Sequence, residues 1–308
     1  MTDSADMTAA PRATKSQGEV DAHRLLRKYD LLYDGLTHLS TGQNTTWRVE
    51  GTPYLLRVAP ESTSGAALML NYQLANILNH SHVGFVSPAF PLAWQVMDDT
   101  RPVRGTLWFY EAPTGEALDY HALGKLVRAM QEHGTAAVRG SSLQLPHALD
   151  VETIETTLLE LREYDILSVP EFTTLAGWLP RLARTTAAFR SASTVLVHDD
   201  LWPKNMLMTD RGLLLCDPDN MGWGPTEYDL AFLARALESK VITRSDVSAF
   251  ERGYGGRIPD INTAWRLALF HRLRWVCCLA ERRTWDKAAG VKLAAELALW
   301  QRRRGPQP

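Results

Sequence analysis

Cysteine is scarce in this chain of 308 residues. The three present, Cys216, Cys277 and Cys278, form one adjacent pair and no C-x-x-C, so neither a disulfide framework nor a zinc site is supported and a reducing, cytoplasmic setting fits best. The opening MTDSADMTAAPRATKSQGEV lacks the basic start and apolar stretch of a secretory signal. No uninterrupted apolar run of about twenty residues occurs, which predicts a soluble chain with no membrane partner. Charge of one sign is not in excess either. Lys plus Arg number 33 against 35 Asp plus Glu, a net charge of -2, which removes the bulk electrostatic case for nucleic acid.

A chain of this length exceeds the usual size of a single core and predicts two lobes. Residues 1–20 read as a flexible tail. From Asp34 to Ala59 the runs GLTHLS, TTWRVE and YLLRVA alternate with turn-type breaks, TGQN and GTP, which predicts a small antiparallel sheet. Ala66 to His80 has helical apolar spacing without Gly or Pro. Strand-like pieces follow at Ala89 to Met97 and Thr106 to Glu111, up to a break at Pro113 and Gly115. Beyond it the chain turns helical, over Leu123 to His133, Ile154 to Tyr164, Leu175 to Ser191, Glu227 to Leu237 and Ala264 to Ala280. The expected division is a mostly β part over 21–112 and a mostly α part over 113–308.

One stretch inside the helical part stands apart: VLVHDDLWPKNMLMTDRGLLLCDPDN, Val195 to Asn220. Two apolar runs, Asn205 to Met208 and Leu213 to Cys216, are joined by TDRG, whose Gly212 suits the left-handed position of a short hairpin loop. A hairpin brings its open ends together, so Asn205 and Asp217 should be neighbours, roughly 5 Å apart at Cα. Two such oxygen donors on a rigid hairpin are a start on a magnesium site, because Mg²⁺ takes a few protein oxygens plus waters and substrate phosphates. Asp200 precedes a Trp202-Pro203 turn and should return over the same mouth, where a carboxylate could accept a hydroxyl proton. His198 is placed to brace that loop rather than to react. Any one of these residues alone is explained by turn chemistry, since Asp and Asn side chains bond local backbone; the set at these spacings points to function.

HDDLWPKN resembles the HxDxxxxN catalytic loop of the aminoglycoside phosphotransferase and choline kinase group of protein-kinase-like enzymes. LLLCDPDNMGWGPTEYDLAFLARAL is similar to the segment that follows it there. The resemblance is specific over Val195 to Leu237 and rests on element order over Leu36 to Gly115. It implies an α+β, two-lobed kinase-like fold with a small antiparallel N-lobe and a larger, mostly helical C-lobe. It also implies Asp200 as catalytic base with His198 in the same loop, Asn205 and Asp217 as Mg²⁺ ligands, ATP or GTP as co-substrate, and Asp229 as a brace beneath the loop. Asp229 would equally suit the first turn of a helix.

For the nucleotide, the resemblance assigns the first hairpin turn, Ser40, Thr41 and Gly42, to the phosphates, although one Gly makes a weak phosphate loop. Arg57 on the third strand stands where protein kinases use Lys, and its charged fork can pair with phosphate oxygens. The helix from Ala66 to His80 contains no Glu or Asp to pair with Arg57, only Asn71 and Gln73 as polar candidates. Tyr110, Glu111 and Ala112 resemble the hinge whose backbone bonds adenine, and an edge strand running into Pro113 would leave such groups unpaired.

The acceptor that the resemblance implies is a small-molecule hydroxyl compound. His147 to Thr174 holds Asp150, Glu152, Glu155, Glu160, Glu163, Asp165 and Glu171 against Arg162 alone, which suits a cationic, aminoglycoside-like antibiotic. Trp265 to Pro308 is instead rich in Arg, including Arg272, Arg274, Arg282 and Arg283. The alternatives are a metabolite kinase for choline, homoserine or a sugar derivative, and a non-catalytic nucleotide-binding pseudokinase, against which Asp200, Asn205 and Asp217 argue. A protein kinase is disfavoured because Pro218-Asp219, not Phe-Gly, follows Asp217.

Overall fold

The computed structural model describes residues 16–41, 44–61, 63–90, 94–97, 101–189, 192–284 and 286–302. The chain forms two compact units, Met1–Gln73 with Ser87–Glu111, and Leu74–Val86 with Ala112–Pro308.

The first unit opens with helix α1, Gln17–Lys28, whose N-cap Ser16 accepts a bond from the Glu19 N–H. Residues 17–20 are therefore helical, which corrects the tail expected over 1–20; residues 1–15 lie outside the described part. The polar composition hid a short apolar face. Ala22, Leu25 and Leu26 are fully buried, at roughly 1.5–3 kcal/mol for each leucine side chain. Asp21 anchors the same helix through a 2.6 Å ion pair to Arg101.

Strands β1 (Gly35–Thr41), β2 (Thr45–Glu50) and β3 (Tyr54–Val58) come next, followed by helix α2 (Gly65–His80), which carries residues of both units, and by β4 (Trp94–Met97) and β5 (Pro102–Phe109). The sheet is antiparallel in the order β1-β2-β3-β5-β4. Trp47 stands opposite Leu56, and Leu56 opposite Leu107. Because side chains alternate along a strand, these residues with Val49, Val58 and Val103 share the face that packs on α1. Two strand limits differ from expectation. Only Trp94–Met97 of the stretch from Ala89 is strand, residues 91–93 lying outside the described part, and β5 starts at Pro102 because it pairs with β4 from there.

The second unit begins with α3 (Tyr120–Ala129), a π-helical turn (Met130–Gly134) and α4 (Thr135–Arg139), then α5 (Val151–Glu163), α6 (Val169–Ala176) and α7 (Leu179–Ala188). The single helix expected over Leu175 to Ser191 is two. Gly177 closes α6, and Pro180, which has no N–H to give, sits in the first turn of α7. Short strands β6 (Thr194–Val197), β7 (Met206–Thr209), β8 (Gly212–Leu215) and β9 (Gly222–Pro225) lead into α8 (Glu227–Glu238), α9 (Arg244–Tyr254), α10 (Ile261–Arg282) and α11 (Lys287–Arg302). Helices α4, α9 and α11, and α6 before Leu175, lie outside the expected set. Helices α3 and α9 meet at Gly124, where a Cβ would stand 2.2 Å from the Phe250 carbonyl oxygen, so only glycine permits that approach. Among the described residues no helix is long and apolar enough to cross a membrane.

Candidate active site

Strand β6 pairs antiparallel with β9, and β7 with β8. The chain leaves β6 at His198, crosses the loop Asp199 to Lys204, and enters β7 from one 3-10 turn, Pro203–Asn205. The hairpin loop is Asp210-Arg211. Gly212 closes it at φ +97, a conformation costly for any residue with a Cβ. Met206 stands opposite Leu215, and the Cys216 N–H bonds the Asn205 carbonyl at 3.0 Å. The hairpin thus joins Asn205 to Cys216, with Asp217 the next residue, held at φ +65 before the turn Pro218–Asn220.

Beneath the loop lies Asp229, fully buried in the first turn of α8. Its carboxylate accepts the His198 N–H at 2.8 Å and the Asp199 N–H at 3.0 Å. Burial raises this carboxyl to about 6, against the pull of His198 and of the two N–H groups. His198 is also fully buried; its Nε2 donates to the Cys216 carbonyl at 2.9 Å and its ring stacks on Phe85. That places His198 as a tie between the loop and the end of β8.

Asp200 is 5 % exposed, and so is Asn205. Asn205 Nδ2 donates to the Asp200 carbonyl and to Asp200 Oδ2, each at 2.8 Å. Lys204, 67 % exposed, brings its ammonium 3.0 Å from the same Oδ2. Asp200 Oδ1 is buried without a hydrogen-bond partner. The base expected from the sequence is therefore held by one oxygen and open at the other.

Three further side chains complete the cluster. Asp199, at φ +62, is bonded through Oδ2 by Arg274 of α10. Arg274 also donates to the Ala148 carbonyl and to the Tyr228 hydroxyl, both at 2.9 Å. Burial works against the Arg274 charge, but Asp199 and Tyr228 outweigh it and hold the guanidinium above its ordinary value. Burial likewise drives the Tyr228 hydroxyl well up. His271, one helical turn before Arg274, stands 3.7 Å from both Asp199 Oδ1 and Asp200 Oδ1. Neither His271 nor Arg274 was among the expected site residues. The available signal was HRLR, in which His271 and Arg274 stand three apart directly after the apolar run LALF.

A magnesium ion takes oxygen donors. Asn205 fits that chemistry, since its Nδ2 is occupied by Asp200, which leaves the amide oxygen as its second polar atom. Asp217 supplies a carboxylate at the end of the same hairpin. Among the described residues no group of three or more His, Cys, Asp or Glu is arranged to hold a metal, so an ion here would need oxygens from water and substrate as well.

The residues expected to face the nucleotide belong to the first unit, except Ala112. Arg57 is on β3, opposite Thr46 and Thr106, with its guanidinium 5.8 Å from the Trp108 ring centre. Ser40 and Thr41 are on β1, in register with Thr46 and Thr45, rather than in the turn; Gly42 lies outside the described residues. The edge strand expected before Pro113 is corrected. Strand β5 is interior, between β3 and β4, and the Tyr110 N–H already bonds the Pro53 carbonyl at 2.8 Å. Glu111 and Ala112 follow it outside any strand.

The acidic segment is partly engaged in structure. Asp150 caps α5, Asp165 pairs with Arg162, and Glu171 closes a capping box with Ser168 while pairing with Arg283 at 2.6 Å. Glu152, Glu155, Glu160 and Glu163 are exposed. The arginines of α10 are engaged too. Arg272 pairs with Glu296, Arg274 with Asp199, and Arg282 with Asp286.

A small antiparallel sheet in one unit and a helical unit carrying a His-x-Asp loop and a hairpin define the protein-kinase-like fold. The model of the phosphotransferase enzyme family matches residues 36–276, and the chain belongs to that family. A search of the curated proteins finds no match. Among solved structures, amicoumacin kinase hAmiN in complex with AMP-PNP, Ca2+ and Ami is similar at 16% identity and TM-score 0.62, over 95% of this chain and 98% of that one. The microcompartment-associated aminopropanol kinase is similar at 19% identity and TM-score 0.60, over 91% and 94%. The GDP and kanamycin complex of APH(2")-IIia follows at 15% and 0.59, over 93% and 100%. At these identities the likeness speaks for the fold.

Proposed function

We propose that the protein transfers the γ-phosphoryl group of magnesium-bound ATP or GTP to a hydroxyl of a small molecule, with Asp200 as general base. The observation that carries this reading is the double bond-making of Asn205 to Asp200. It fixes the carboxylate through Oδ2 and leaves the buried Oδ1 without a hydrogen-bond partner, ready to take a hydroxyl proton. Asn205 and Asp217 would hold Mg²⁺, which when bound neutralises charge on the phosphates. His198 and Asp229 keep the loop in shape. Arg57, with Ser40, Thr41 and Gly42, is assigned to the phosphates. The adenine contact is assigned to the backbone of Glu111 and Ala112, with Tyr110 beside them. A cytoplasmic setting, where both nucleotides are available, belongs to the same reading.

For the acceptor we favour an aminoglycoside-like antibiotic, by analogy with the kanamycin complex and the amicoumacin kinase. A metabolite kinase is the second reading. It is favoured by the use of Asp150, Asp165 and Glu171 in caps and ion pairs, which removes acids a polycation would need, and by likeness to the aminopropanol kinase. The test is phosphoryl transfer from Mg·ATP and Mg·GTP over a panel of aminoglycosides, amino alcohols, choline, homoserine and sugars. Phosphorylated product from the first group alone upholds the antibiotic reading, and product from the others alone moves the assignment to metabolism. Nucleotide binding with no transfer to any compound or to water would leave the pseudokinase.

A further inference from the structure

Among the described residues, two buried carboxylate oxygens have no hydrogen-bond partner, Asp199 Oδ1 and Asp200 Oδ1. Both face one imidazole. His271 puts Nδ1 3.7 Å from the first and Nε2 3.7 Å from the second. The other oxygen of each carboxylate is already held, Asp199 Oδ2 by Arg274 and Asp200 Oδ2 by Asn205 and Lys204. The ring is steadied by the edge of Phe232, 4.8 Å away between centres. Helix α10 thus offers two side chains three residues apart, His271 and Arg274, to the catalytic loop. A ring movement of under about 1 Å would bring either nitrogen to hydrogen-bond distance, and catalytic hydrogen bonds commonly tighten only once substrates are bound.

We propose that His271, with an N–H on each ring nitrogen, is the positioning residue of Asp200: it donates Nδ1–H to Asp199 Oδ1 and Nε2–H to Asp200 Oδ1 and stops the Asp200 carboxylate from turning away from the acceptor. A carboxylate oxygen has two lone pairs, so a bond from His271 Nε2 leaves one for the acceptor hydroxyl. Asp199 fixes the ring from its far side, and Arg274 fixes Asp199. The proposal rests on Asp200 being the base of the phosphotransfer reading.

Two measurements test it, the first of which needs no activity. In side-chain ¹⁵N NMR of the full chain, Asp199→Asn is expected to shift His271 Nδ1 and Asp200→Asn to shift His271 Nε2. In the second, ADP release from Mg·ATP with water as acceptor is followed in His271 variants. His271→Phe, which keeps the ring but no donor, should lose at least about tenfold in kcat with KM for Mg·ATP within about twofold. His271→Gln should keep part of that activity, and added imidazole should restore His271→Ala. Wild-type kcat in His271→Phe overturns the proposal. So does equal loss in the Phe and Gln variants without imidazole rescue, which marks a packing role, and so do His271 nitrogen signals that ignore both Asn substitutions. The NMR shifts together with a wild-type protein that phosphorylates nothing uphold the bridge and sink the phosphotransfer reading instead. If His271→Ala fails to fold, the Gln and Phe variants decide.

Discussion

Asn205 Nδ2 donates twice to Asp200, to its carbonyl and to its carboxylate, each at 2.8 Å. One amide therefore fixes both the path of the loop and the direction of its acid. The amide itself is fixed, because the Asn205 carbonyl accepts the Cys216 N–H across the end of the hairpin. Backbone pairing between β7 and β8 is thereby transmitted to the orientation of Asp200.

Asp200→Asn should cut turnover by about 10² or more, the usual scale for a positioned base, while nucleotide affinity and melting temperature change little. The amide can still accept from Asn205 Nδ2, so the loop has no cause to collapse. Steady-state kinetics beside a nucleotide titration provide the check. Turnover close to wild type would pass the role to Asp199 or Asp219.

Asp217→Ala should weaken binding of the magnesium nucleotide and leave binding of the metal-free nucleotide nearly unchanged. The variant removes the carboxylate that follows β8 and retains the hairpin bonds. Calorimetric titration with and without Mg²⁺ separates the two. Survival of the metal dependence would mean that the hairpin end does not hold the ion.

The hairpin was legible in the sequence because its determinants are local: two apolar runs, a TDRG loop and acids at the open ends. The sheet was legible for the same reason, its first three strands being separated by plain turn signals. His271 and Arg274 were not. Arg274 lies 75 residues from Asp199, and what brings it there is the packing of α10 against α8, which no short window records. HRLR taken alone is the polar face of an ordinary helix. The edge of the sheet was misjudged for a related reason. The stretch from Ala89 to Met97 reads as strand-like, but that Trp94–Met97 pairs with β5 and turns an expected edge into an interior strand is a matter of which strands lie side by side, which local alternation does not record. Helix α1 escaped because Ala22, Leu25 and Leu26 are few among polar neighbours, and their value appears only once the sheet presents its face.

Asp229→Asn should destabilise the second unit by roughly 1–3 kcal/mol, the cost of leaving one buried donor unmet. The carboxylate accepts two N–H groups, one on each oxygen. An amide has one oxygen, so its NH₂ must face either His198 N or Asp199 N, donor against donor. Turnover should fall with stability, because the same two bonds set the loop that carries Asp200. A thermal melt and a kcat measurement on one preparation suffice. A full loss of turnover at unchanged melting temperature would give Asp229 a direct part in the chemistry and contradict its role as a brace.

The last prediction concerns acid stability. Glu171 receives the Arg283 guanidinium and the Ser168 N–H and hydroxyl, and these bonds, Arg283 foremost, pull its carboxyl from 4.5 to about 2 against the opposing effect of burial. Between those values the unfolded chain binds the proton and the folded chain does not, so stability rises with pH there. The contribution is complete above about 4.5 and is lost as pH falls through about 2. Glu171→Gln keeps the size and one acceptor but cannot ionise. Its melting temperature should lie below wild type at neutral pH, and the gap should narrow through that window and vanish near its lower end. Turnover at neutral pH should be unaffected, since Glu171 joins α6 to the end of α10 and touches none of the loop residues. Melting curves of both proteins across the window measure the gap. A gap that stays constant down to pH about 2 would show that shape, not charge, is what Glu171 contributes.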